Sequence, residues 1–174
     1  LKILGCGVEV RAKANKNLAT FDLSLLRFSK VIICTDADVD GFQIRTLILA
    51  MLYRLTPTLI EKGYVYIAET PLYEITTKTD TYFAYNDREK AQILDTIGEQ
   101  KYTIQRSKGL GENEPEMMSL TTMAPATRRL IKVEPTDVEQ TARMFDVLLG
   151  DDLDGRKQII AEHGAEYIDM LDLE

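Results

Sequence analysis

A short apolar run, Val31-Ile32-Ile33-Cys34, breaks off into three aspartates at alternate positions, Asp36, Asp38 and Asp40, closed at once by Gly41. A continuous run of branched apolar residues is the signature of a strand buried on both faces. Carboxylates placed directly after such a strand fall at its carboxyl end, where open α/β sheets bind their ligands. Two carboxylates about 5 Å apart at an effective dielectric of about 20 repel by roughly 3 kcal/mol, a penalty that a divalent ion bound through oxygen ligands reverses. Such hard ligands favour Mg²⁺, Ca²⁺ or Mn²⁺ over zinc. The same letters could open a calcium loop of the EF-hand type, but that loop needs a bidentate glutamate at its twelfth position. Counted from Asp36, that position is Leu47, and a strand stands where the EF-hand has a helix. An acidic solvated turn is common beside glycine, yet it does not account for three aspartates at the end of a core strand.

The residues after Gly41 complete a unit around that strand. Ile44, Leu47, Ile48, Met51, Leu52 and Leu55 recur at the spacing of an amphipathic helix, and Pro57 should end or restart it. Val65-Tyr66-Ile67-Ala68 then reads as a second strand. Strand, helix and strand make a βαβ crossover with parallel strands.

Further along, Leu72-Tyr73-Glu74-Ile75 and Tyr82-Phe83-Ala84-Tyr85, divided by Lys78-Thr79-Asp80, read as a β-hairpin. Asn86 with Glu89 predicts a capped helix closed by Gly98, and Tyr102-Thr103-Ile104-Gln105 a strand after it. The glycines of Lys108-Gly109-Leu110-Gly111 either form a plain turn or let a backbone approach phosphate closely. Beyond Pro135, Thr136 and Glu139 form a capping-box pattern for a helix with Val138, Ala142, Phe145 and Leu149 on its apolar face, ending at Gly150. Asp151-Asp152-Leu153-Asp154-Gly155 repeats an acidic, glycine-ended cluster, but no strand precedes it, so it reads as a solvated loop between helices. His163 stands at a helix end, where the helix dipole accounts for it, and Tyr167 to Leu173 reads as one more helix.

The chain carries a net charge of −7 over 174 residues, which at first argues against nucleic acid. The charge is uneven: residues 1–133 hold 18 Lys and Arg against 16 Asp and Glu, whereas residues 134–174 hold 3 against 12. With the three aspartates neutralised by a cation the first region is basic, and Arg106, Lys108, Arg128, Arg129 and Lys132 are its candidate phosphate contacts. Cys6 and Cys34 have no metal-ligand spacing; Cys34 reads as a small buried hydrophobe, and both are expected to be reduced. No apolar run approaches the ~18 residues of a membrane span, and no signal peptide is legible.

Thr35-Asp36-Ala37-Asp38-Val39-Asp40-Gly41, with Ile44-Arg45-Thr46 and Tyr64-Val65-Tyr66-Ile67-Ala68, resembles the Toprim domain of bacterial type II DNA topoisomerases. Gln105-Arg106-Ser107-Lys108-Gly109-Leu110-Gly111-Glu112 is similar to that family's K-G-L-G-E segment. Thr122-Met123-Ala124-Pro125-Ala126-Thr127-Arg128-Arg129-Leu130 resembles the stretch that follows it in the B subunits of DNA gyrase and topoisomerase IV. Phe42-Gln43 departs from the family, many members of which have a small residue and histidine there, and Ser107 replaces a usual aromatic. The E-G-D-S-A and P-L-K-G-K motifs of the family are not found, and Leu1 resembles a point beyond both.

The resemblance implies an α/β Toprim fold with a Rossmann-like parallel sheet, incomplete at its N-terminus, over residues 1–133, and a mostly helical acidic tail over 134–174. It implies a fragment of an ATP-dependent type II topoisomerase B subunit, inactive alone, with the catalytic glutamate and the ATP site upstream. Asp36, Asp38 and Asp40 would hold Mg²⁺, for which Mn²⁺ or Ca²⁺ can substitute. Arg106, Lys108, Gly109, Gly111, Arg128 and Arg129 would face double-stranded DNA. The nucleophilic tyrosine would come from the A subunit of an A2B2 heterotetramer in the cytoplasm, associated with the nucleoid. The alternatives are a catalytically silent DNA-binding and subunit-docking module, or a calcium-binding protein.

Overall fold

The computed structural model describes residues 1–9, 19–106, 109–135 and 137–170. The expected crossover forms. Strand β1 (Val31–Ile33) leads through helices α1 (Val39–Leu55) and α2 (Pro57–Glu61) to β2 (Val65–Ala68). The two strands pair in parallel, Val31 opposite Val65 and Ile33 opposite Ile67. Pro57 separates the helices as its missing N–H requires. Buried Thr56 caps the junction and donates its hydroxyl to the Leu52 carbonyl at 3.2 Å. A third strand, β6 (Leu130–Lys132), pairs antiparallel to β2, so this sheet is mixed where a parallel one is expected.

The hairpin also forms: β3 (Tyr73–Thr77) and β4 (Thr81–Ala84) pair antiparallel, and β5 (Tyr102–Arg106) joins the other edge of β3. Between β4 and β5 runs α3 (Asp87–Ile97), and the short helix α4 (Pro115–Met118) follows β5. Asn86 accepts the Glu89 N–H at 2.8 Å, the first half of the expected capping box. The second half is displaced, because the Glu89 carboxylate reaches the N–H of Tyr85 at 3.3 Å. Ile75 and Ala84 are fully buried in this sheet, whereas every residue of β5 is exposed.

The chain divides into two compact units, one of Leu1–Arg27, Leu49–Gly63 and Val133–Glu174, the other of Phe28–Ile48 and Tyr64–Lys132. In the first, α5 (Val138–Leu149) stacks Phe145 on Tyr53, ring centres 5.2 Å apart, and Asp146 pairs with Arg54 at 2.9 Å. An open cleft of about 350 Å³, lined by Leu49, Tyr53, Met144, Phe145 and Leu148 among others, lies beside this contact. The cap of α5 is Asp137, which accepts the Gln140 N–H at 2.9 Å; Thr136, where the sequence places the cap, lies outside the described residues. Helix α6 (Leu153–His163) ends at the histidine as expected, and a 3-10 helix continues to Met170.

Two expectations about burial fail. Of the predicted core face of α1, Leu52 is buried, but Ile44, Leu47 and Met51 are 51%, 49% and 41% exposed. Strand β1 stops at Ile33, and Cys34 is exposed, not buried. Partial desolvation, and then the neighbouring Asp36 charge, push the Cys34 thiol pKa up.

Candidate functional site

Five residues separate β1 from α1, and the aspartates around that turn take three different places. Asp38, half-buried, accepts the Gly41 N–H at 2.7 Å and so caps the helix. Asp40 is exposed in the first helical turn, where a negative charge suits the helix dipole. Asp36, half-buried, accepts the Leu110 N–H at 2.8 Å across 74 positions of sequence. Gly41 is required here by space: a Cβ at that position would overlap the Asp36 carbonyl oxygen. Among the described residues no group of three or more acid, histidine or cysteine side chains is gathered for a metal ion. The three carboxylates thus do not gather into one group in the structure.

The donor chemistry nevertheless fits a hard cation. Asp36 and Asp38 each engage one carboxylate oxygen with a backbone N–H and keep the other out of any hydrogen bond among the described residues. Mg²⁺ dehydrates reluctantly and is commonly held by one or two carboxylates together with waters and phosphate oxygens, so it needs no three-carboxylate cage.

Leu110 opens the 3-10 turn Leu110–Glu112, and Gly109 before it is extended at φ −145°. A Cβ on Gly109 would lie 3.6–3.7 Å from the Asp36 carboxylate, and one on Gly111 would meet nothing within 4 Å. Gly111 lacks a positive φ as well, so among the described residues nothing demands a glycine there. Lys108 and Ser107 lie outside the described residues.

The arginines differ in how far they are committed. Arg106 ends β5, is exposed, and contributes its charge near Asp87. The Asp87 carboxyl is held below the usual range first by its hydrogen bond from Lys90, then by that from the Tyr73 hydroxyl, with the charge of Arg106 a lesser cause. Arg128 donates to the Met123 carbonyl at 3.3 Å, at the end of the π-helical turn Ser119–Met123. Arg129 is clamped: both Glu89 oxygens accept from its Nη1, at 2.9 and 3.1 Å, and its guanidinium lies 3.9 Å from the centre of the Tyr85 ring. That clamp, and the tie between Asp36 and Leu110, are absent from any local sequence pattern. Phe42, the departure after Gly41, lies under Arg45 with the guanidinium 4.8 Å from its ring centre.

Residues 4–70 match the Toprim domain model, and residues 99–161 match that of the DNA gyrase B subunit, carboxyl terminus. Over those two stretches the chain matches a Toprim domain followed by the gyrase B carboxyl terminus. Toprim domains bind divalent metal, in keeping with the acids at the end of β1. The chain is 45% identical to the DNA gyrase B subunit of Clostridium acetobutylicum over 152 residues, 86% of this chain and 24% of the relative. It is also 45% identical to the DNA gyrase B subunit of Thermotoga maritima over 150 residues, again 86% and 24%. To that of Archaeoglobus fulgidus it is 43% identical over 146 residues, 84% of this chain and 23% of the relative. The chain thus spans about a quarter of the length of these relatives. Among the described residues no helix of this Toprim-containing chain is long and apolar enough to cross a membrane.

Proposed function

We propose that this chain supplies the cation-holding acids and the DNA-facing loop of an ATP-dependent type II DNA topoisomerase B subunit, which acts on double-stranded DNA with an A subunit in an A2B2 heterotetramer. What carries the reading is the bond between Asp36 and Leu110, which joins the two family motifs at one point. Asp36 and Asp38 would hold Mg²⁺ through their remaining oxygens, with Asp40 supporting a second position or an outer shell. When bound, the cation stabilises charge on the non-bridging oxygens and the leaving 3′ oxygen of the scissile phosphate. Arg106, Lys108, Arg128 and the Gly109–Gly111 backbone meet DNA phosphates, with Arg129 at the edge of that surface while Glu89 holds it. The nucleophilic tyrosine belongs to the A subunit, ATP binds a part of the whole protein other than this chain, and the work is done on the nucleoid in the cytoplasm.

A second reading, a DNA-binding and subunit-docking module without chemistry of its own, is favoured by the exposed apolar residues Ile44 and Leu47. A calcium loop is not favoured: strand β1 precedes the acids, and the twelfth position is an exposed leucine. Titration calorimetry with MgCl₂ or MnCl₂ separates these readings. Weak, millimolar binding by the chain, lost in Asp36→Ala/Asp38→Ala, is expected; equal binding by both proteins would remove the aspartates from the metal site. Lys108→Ala should lower the salt dependence of DNA affinity by about one unit, one phosphate contact.

A further inference from the structure

Among the described residues, a single hydrogen bond ties residues 109–112 to the end of β1, the one from the Leu110 N–H to Asp36 Oδ1 at 2.8 Å. We infer that Asp36 is the positioning residue of this glycine loop as well as a metal ligand, so that cation binding and loop order are linked through one carboxylate. The linkage rests on the metal reading above; the tether rests on geometry alone.

A carboxylate offers about four acceptor positions, so Oδ1 keeps the amide while Oδ2 stays available to a cation. Hydrogen bonds to a ligating carboxylate fix its orientation, and here the backbone N–H of the loop is that partner. An N–H bond to an ionised oxygen is about twice as strong as one between neutral groups, so the full charge on Asp36 matters to the loop. Gly109 sits where any side chain would lie against this carboxylate, which keeps the approach to Oδ2 clear. Linkage is reciprocal: if the loop orients Asp36 for the cation, the cation must steady the loop by the same factor.

The test is amide hydrogen exchange of Leu110, followed by NMR on the ¹⁵N-labelled chain with and without saturating MgCl₂. Without metal, Asp36→Asn should speed Leu110 exchange by about tenfold, the scale of one charged hydrogen bond. Asp152→Asn, which alters a cap on its own helix, should leave it unchanged. In the wild type Mg²⁺ should slow Leu110 exchange, and in Asp36→Asn it should not. The wild-type arm needs no variant to fold. Equal metal-free exchange in wild type and Asp36→Ala, which has no side-chain acceptor at that position, would overturn the tether. Calorimetric Mg²⁺ binding with unchanged or faster Leu110 exchange would overturn the linkage and leave the metal reading standing. A silent calorimetric titration with Leu110 still protected by Asp36 would overturn the metal reading and the linkage, and leave the tether.

Discussion

Asp36-Ala37-Asp38-Val39-Asp40-Gly41 and Asp151-Asp152-Leu153-Asp154-Gly155 carry nearly the same letters, and each starts a helix in the same way. In both, an aspartate accepts the N–H of the glycine three residues on: Asp38 from Gly41 at 2.7 Å, Asp152 from Gly155 at 2.9 Å. They differ in what lies before and across. The first follows β1 and sends Asp36 to Leu110; the second follows a helix, and its hydrogen bond is local. Density of acid is therefore a poor guide to chemistry. A strand end that draws in a distant loop distinguishes a site from a cap.

The two clusters should part most widely in activity. In the full-length B subunit assembled with its A subunit, Asp36→Ala should lower metal-dependent cleavage of plasmid DNA by about 100-fold or more. Asp152→Ala should leave cleavage nearly unchanged. Equal losses would mean that the two clusters do the same kind of work.

Stability separates them next. A methyl group at Gly41 would overlap the backbone oxygen of Asp36, which cannot move aside without shifting the turn, so Gly41→Ala should cost about 1–3 kcal/mol in urea unfolding. At Gly155 the obstacle is the Asp152 side chain, which can rotate away. The lost cap costs about 1 kcal/mol, and the gain in helix propensity from glycine to alanine offsets about as much, so Gly155→Ala should leave the midpoint nearly unmoved.

The smallest effect concerns a carboxylate held by a cation instead of by backbone N–H groups. Asp87 has a pKa depressed below its ordinary 3.8. A depressed folded value means stabilisation that is present above the ordinary pKa and lost as pH falls through the folded one. Asp87→Asn should therefore flatten the acid limb of stability below about pH 4, slightly, because the side chain is largely exposed. An unchanged acid limb would show that Lys90 and Tyr73 do not hold the charge.

Much of the fold is legible in the sequence because its signals are local. Apolar runs mark β1 and β2, Pro57 marks the break between α1 and α2, and Asn86 marks the start of α3. The buried side of α1 is not legible: from Phe42 to Leu55 the helix is apolar nearly all round, so periodicity alone cannot choose a face. Strand β6, Leu130–Lys132 with Arg129 before it and a lysine at its end, shows neither an apolar run like that of β1 nor an alternation to mark it. Of the candidate site, the aspartates and glycines are legible as motifs. The tie between Asp36 and Leu110 is not, since a contact across 74 positions leaves no mark on neighbouring residues. Glu89 reads locally as a capping residue, and its grip on Arg129 lies 40 positions away.

Ile44 and Leu47 are half open to solvent in this chain, which makes them useful reporters. Serine or glutamine at either position removes little buried area, so the chain should melt at nearly its usual temperature. If the same exchange is costly in a longer protein, the loss cannot be charged to the folding of these 174 residues. It measures whatever the longer protein lays along that side of the helix, and one pair of point variants then weighs that contact.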